Sequence, residues 1–420
     1  MKIIVSVFLL SVAVVFPQKS LVNTAHLDHL YQEIKVNNVK LGIIHIYAES
    51  PDYKWIEASG EGIACIDDAA RAAVFYMNYY KQTHDKKYLP QIRSLINFQL
   101  YMHAANGFFY NFIWKDYTID TTYRTSIAQP NWWSWRALWA LTEAQKFYLK
   151  INPRFSREIK KHIIATIDAL DKWLTTGNKT AVYGGYELPA WLPFESASDQ
   201  AAVIVKSLST FYKNNKSEKV KSIIGHLCAG ILKMQQGNET ISPYYAFLSW
   251  QNGWHAWGNS QADALIDAGR VLNKKEYITA AVNEIKYFYP WLIGKGFYTE
   301  FHVVKDDNNI TSFADTSKFA QIAYGIRPMI FSCMNAYKLL NDSIFLNTAI
   351  RAVKWFFKNN PANTLMYDPK SGRGYDGIIA YGKINNNSGA ESTIESLLSI
   401  LRLEKDKTAK EMLLNMYNKM

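Results

Sequence analysis

The chain has only three cysteines in 420 residues, Cys65, Cys228 and Cys333, and each lies in an apolar stretch that reads as helix. Three scattered cysteines cannot make a disulfide framework, so buried free thiols are expected. No cluster of cysteine and histidine has metal-ligand spacing, so neither a zinc site nor any other cofactor is expected. The net charge is +11, yet the lysines are dispersed, as in Arg157-Glu158-Ile159-Lys160-Lys161, and form no basic block. They do not interleave with aromatics in a stripe, which argues against a nucleic-acid partner. Long apolar runs are missing too. The longest opens the chain, Ile3 to Phe16, between Met1-Lys2 and Pro17-Gln18-Lys19-Ser20. It is short for a membrane span and has the layout of an export signal. Removal of 1–20 is therefore expected, leaving 21–420 as a single domain, periplasmic or secreted, with no stable membrane insertion. Oligomeric state leaves no mark in the sequence.

What is present is a hydrophobic share of 49%, ample for a core, and a recurring pattern. Periodicity of 3.6 residues and turn signals place helices at 62–83, 86–104, 131–149, 153–176, 196–213, 216–236, 256–272, 274–292, 316–339, 342–359, 389–402 and 406–418, after a short opening helix from Ala25 to Val36. Connections after the odd-numbered members of this series are tight, such as Asn214-Asn215, Asn273 and Asn341. Those after the even-numbered members are long and rich in Gly, Trp, Tyr, Asn and Pro. The alternation repeats at roughly sixty to seventy residues, and a fixed period of this kind is architecture. The expected fold is all-α, an (α/α)6 barrel. Its Ala-rich odd helices form the inner ring and its long loops crowd one face.

Each inner helix opens with polar and aromatic residues, beginning with Cys65-Ile66-Asp67-Asp68, where two carboxylates stand on the first turn of an otherwise apolar helix. A charge there is costly to bury unless it is paired or used. Capping and an ion pair to Arg71 account for part of it. The later motifs are Asn131 to Arg136, Glu195 to Gln200, Trp254 to Asp263, Phe313 to Ser317 and Asn387 to Thr393. Capping does not explain Trp132, Trp133, Trp135, Trp254 and Trp257. Flat aromatic faces suit the C–H faces of pyranose rings, so a carbohydrate substrate is expected. Arg71, Tyr110, Asn111, His255 and Gln261 are candidate hydroxyl contacts.

Cleavage of a glycosidic bond needs two carboxyl groups about 6.5–9.5 Å apart for inversion or about 5–5.5 Å for retention. Asp67 and Asp68 are neighbours and cannot be that pair alone. One of them is expected to act as base on water, with Glu391 as acid, because the last inner helix closes against the first. Against this, Glu391 has capping-box spacing from Ser388 and could fold back onto that amide. Glu187, Glu195 and Glu300 are the reserve acids, and Glu61 a supporting group. A lyase or epimerase acting on uronic-acid glycans through His255 and a loop tyrosine is an alternative, as is glycan binding without catalysis.

These residues carry a resemblance. Glu61-Gly62 with Cys65 to Arg71, and Met366-Tyr367-Asp368-Pro369, Gly372-Arg373-Gly374, Asp376-Gly377 with Asn387 to Thr393, resemble motifs of uncharacterised six-hairpin glycosidase-like proteins. The resemblance implies the barrel fold across nearly the whole chain. For the reaction it implies only a class, since hydrolases, lyases and epimerases share this fold. The early Asp pair and late Glu are similar to those of six-hairpin endoglucanases, which implies acid–base roles for Asp67 or Asp68 and Glu391. On these grounds the chain is expected to be an exported, metal-independent glycoside hydrolase.

Overall fold

A computed structural model describes residues 20–420; the expected export signal lies outside the described residues. Six helices form a closed inner ring: α2 (Ile66–Thr83), α4 (Trp132–Ile151), α6 (Ser198–Asn215), α8 (Gln261–Leu272), α11 (Arg327–Leu340) and α13 (Ala390–Glu404). Each packs on the next, and α13 returns to α2. Their outer partners are α3 (Tyr88–Tyr101), α5 (Pro153–Trp173), α7 (Glu218–Lys233), α9 (Lys275–Asn283) with α10 (Tyr289–Gly294), α12 (Ser343–Val353) and α14 (Lys407–Asn418). The architecture is an (α/α)6 barrel.

Local chemistry explains the hairpins. Four inner helices end in a residue of left-handed conformation, His84, Lys216, Asn273 and Asn341, which turns the chain sharply. Four outer helices then start on side-chain caps. Asn152 precedes Pro153, Ser217 accepts from Val220, Asp342 from Ile344 and Asp406 from Ala409. Inner helices bury small side chains, as in Ala69, Ala70, Ala72 and Ala73 of α2, which lets six helices crowd one axis.

Several expected boundaries shift. The opening helix is only α1 (Ala25–Leu30); residues 31–36 instead pair with 39–44 as a β-hairpin. The reason is Asn37-Asn38, both at positive φ, the requirement of a tight hairpin turn. The long loops also carry strands. Gly253–His255, Glu300–Lys305 and Thr311–Ser317 form a three-stranded sheet. The motif Phe313 to Ser317 is therefore strand rather than helix start, and α11 begins only at Arg327, with Pro328 in its first turn. Likewise α8 begins at Gln261, five residues beyond its expected start at 256. Between α9 and α10, residues 284–288 widen into a π-turn. Pro290, lacking an N–H, cannot continue the α-helical hydrogen bonding there.

Candidate active site

The N-terminal ends of the inner helices meet at one mouth, where the Asp67–Asp68 motif proves to be half of a charge network. Cys65 caps α2: its Sγ accepts from the Asp68 amide, and its thiol donates to Asp68 Oδ2 at 3.2 Å. Arg71, 2% exposed, stands one turn further in. Its Nη1 reaches Asp68 at 2.9 Å and Asp67 at 3.0 Å, its Nη2 reaches Glu391 at 2.7 Å, and its Nε approaches Glu395 at 3.1 Å. Arg136 of α4 holds the other oxygen of Asp67, and Arg327 of α11 the other oxygen of Glu395. The Tyr324 ring lies between the three guanidiniums, 4.9, 4.9 and 5.2 Å from Arg71, Arg136 and Arg327. Four carboxyl groups and three guanidiniums, from four inner helices, thus interlock around one aromatic ring.

Burial divides the carboxyl groups. Asp68 is 4% exposed, and loss of water pushes its pKa up to about 7; Arg71 opposes the shift, while Asp67 and Glu391 reinforce it. Glu391, with 40% of its side chain exposed, faces the opening. It does not fold back as a capping box. Asp376 takes that position instead, accepting from the Gly389 amide at 2.8 Å and from the Ser392 hydroxyl at 2.9 Å. The cap being supplied from elsewhere, Glu391 is left for Arg71 and the cavity. That cavity measures about 380 Å³ and is lined by Asp67, Asp68, Arg71, Asn111, Glu391 and Asp376, with Tyr47 donating to Glu61 at 2.7 Å on its rim.

A second hollow of about 300 Å³ opens on the same face beside α4 and α6. Trp132, Phe194 and Trp250 line it, together with His255, whose Nε2 lies 3.0 Å from Asp199. His255 stacks on Trp257 at 3.9 Å, and its Nδ1 meets the Trp257 carbonyl. Arg136 connects the hollows, since its guanidinium sits 5.0 Å over Trp132 while holding Asp67.

The remaining candidates disperse. Trp133 is buried with its indole N–H on the Phe109 carbonyl, Trp135 is buried with its N–H on Gln200, and Trp254 stacks on Phe301 in the core. Gln261 is fully buried and donates to Ser198. Tyr110 packs against the core, outside both hollows. Glu187 and Glu195 are exposed, accepting from Thr180 and Tyr183 within their own loop, and Glu300 lies on the strand paired with His255. None of these three lines the carboxylate cavity. Sequence reasoning missed Tyr324, Arg327, Glu395 and the roles of Arg136, Asp199 and Asp376. One signal was available: Glu395 is four residues after Glu391, the spacing that puts both on one helix face. Among the described residues, no group of three or more His, Cys, Asp or Glu side chains could hold a metal ion, and no helix is long and apolar enough to cross a membrane.

No protein-family model and no curated protein matches the chain. Solved structures do. A sugar epimerase from a ruminal bacterium superposes with a TM-score of 0.60 at 13% identity, over 91% of this chain and 96% of that one. Cellobiose 2-epimerase from Bacillus thermoamylovorans gives 0.59 at 13%, over 89% and 94%. A cellulase of C. cellulolyticum gives 0.51 at 12%, over 87% and 88%. At such identities the likeness speaks for architecture alone, and that architecture is the six-hairpin (α/α)6 barrel.

Proposed function

We propose that the protein is an exported carbohydrate-active enzyme, and specifically a glycoside hydrolase using Asp68 and Glu391. The observation that carries this reading is that one buried guanidinium, Arg71, presents Asp68 on one nitrogen and Glu391 on the other at the wall of a cavity. An acid is recognised as a titratable group whose surroundings raise its pKa toward neutrality. Burial keeps a proton on Asp68 near neutrality; Glu391 is the more open carboxylate, paired to arginine. The roles expected from the sequence are accordingly exchanged, with Asp68 the acid and Glu391 the base. Glu391 takes a proton from water as the water oxygen bonds to the anomeric carbon. The glycosidic C–O bond breaks, and the Asp68 proton passes to the leaving oxygen. Asp67, gripped by two arginines, holds Arg71 and Arg136 in place. Trp132 and Trp250 offer stacking faces for a further sugar unit in the second hollow.

The test is turnover of aryl glycosides by Asp68→Asn and Glu391→Gln. Each should lose about 10²–10⁴-fold on a poor leaving group. Only Asp68→Asn should recover with a dinitrophenyl leaving group, which needs no protonation. Wild-type turnover in both variants would sink the hydrolase reading. Fractionation of cells expressing the full chain tests export.

The His255–Asp199 pair favours a second reading, epimerisation at a sugar carbon with His255 as proton acceptor, and two structural neighbours are sugar epimerases. Deuterium uptake from heavy water into an uncleaved disaccharide, abolished in His255→Ala, would establish it over hydrolysis.

A further inference from the structure

At the opposite end of the barrel a larger cavity, about 520 Å³, is lined by the C-terminal halves of all six inner helices. Nine cationic side chains line it, among them Lys81, Lys213, Arg270, Lys338, Arg402 and Lys405. Against them stand Glu143 and Asp267 on the wall and Asp263 beneath, which grips Lys206 and Asn335. Cations at helix C-termini are ordinary, because each end carries roughly half a negative charge. Magnitude decides whether that suffices. Three carboxylates offset three of the nine cations, and six helix ends offset about three more, so about three positive charges remain unmatched. The side chains register the excess. Partial burial, then the neighbouring Arg402, Lys81 and Lys338, hold Lys405 below the usual lysine range. Arg402, drawn down in the same way by burial, spends its Nη2 on Asn335 and leaves a buried Nε without a partner among the described residues; the Ser209 hydroxyl in the same wall has none among them either.

We propose that this cavity binds a small ligand carrying several phosphate-type negative charges. Its volume lies within the about 300–1,000 Å³ of small-molecule sites. Its walls supply many N–H donors and few acceptors, the donor set of an oxyanion site. Enclosure by six helices admits a compact polyanion and excludes a duplex or a folded partner. Nothing in this inference depends on the reaction at the other mouth.

The experiment is calorimetric titration of the full chain with inorganic tripolyphosphate at low ionic strength, repeated with sulfate at matched ionic strength. The second sample is the double variant Lys338→Gln/Lys405→Gln, whose side chains reach the rim of the cavity and whose folding is checked by its melting curve. The expected result is saturable one-to-one binding of tripolyphosphate, weakened about tenfold or more in the variant, with sulfate much weaker. Absence of binding at millimolar concentration would overturn the proposal. So would unchanged affinity in a folded variant, which would put the anion elsewhere on the basic surface, or sulfate binding as tightly as tripolyphosphate.

Discussion

The two mouths of the barrel handle charge differently. At the N-terminal mouth, guanidiniums and carboxyls are buried and interlocked, each arginine bridging two helices. At the C-terminal mouth, lysines on flexible stems crowd the rim with few partners. The lysine rim agrees with the helix dipole, which favours cations at C-termini; at the other mouth the carboxyl groups agree with it and the three arginines oppose it. The dipole explains the sign of the rim but not the form of either mouth. A buried network defines geometry, because each member loses water and must be satisfied by the others. An open cluster of like charges defines none and waits for a counter-ion. One end is arranged to hold atoms in place, the other to receive something.

The sharpest way to break this contrast is Arg71→Met. It strands Asp68 and Glu391 without their shared cation and leaves Glu395 to Arg327 alone, and removing one partner of a buried pair costs about 3–5 kcal/mol. Chemical denaturation should show that loss, together with vanished turnover. A variant as stable as wild type would mean that the network is a surface arrangement, no different in kind from the lysine rim.

Comparable in size, and with a sign that pH controls, is the effect of Asp68→Asn. The native carboxyl, raised to about 7, binds its proton more tightly than the unfolded one, near 3.9. Wild type therefore loses stability as pH rises from about 4 to about 7, and the asparagine variant lacks that loss. Melting curves at pH 4 and pH 8 should move relative stability toward the variant by on the order of 4 kcal/mol across the window. An equal offset at both values would place the Asp68 titration outside it. If Asp68 is also the acid, wild-type turnover of poor leaving groups should decline above about pH 7.

The barrel was legible because its hairpins are written locally. Alanine-rich periodic stretches mark inner helices, and Asn273 and Asn341 mark the tight turns. Asn37-Asn38 was equally local and turns residues 31–36 from helix into strand. The site was legible only in part. Asp67, Asp68, Arg71 and Glu391 stand out because charge on an apolar helix is anomalous, but Arg327 and Tyr324 reach the cluster only when the ring closes. The tryptophans misled for a physical reason. Trp133, Trp135 and Trp254 satisfy their indole groups or stack inside the core, whereas Trp250, outside every motif, lies open in the second hollow. The basic cavity was hidden because its lysines are far apart in sequence and converge only where six helices end.

The smallest effect expected is also the most diagnostic for the lysine rim. Lys81→Gln and Lys405→Gln each remove one of several converging like charges, so each should stabilise the protein at low salt by roughly 0.5 kcal/mol. The gain should vanish near 1 M sodium chloride, where screening acts over about 3 Å. It should also vanish with saturating tripolyphosphate, because the wild type would then have its counter-charge while each variant binds less well. Melting temperatures across a salt series separate the outcomes. Destabilisation by either substitution would show that these lysines are paired, and the two mouths would then handle charge alike.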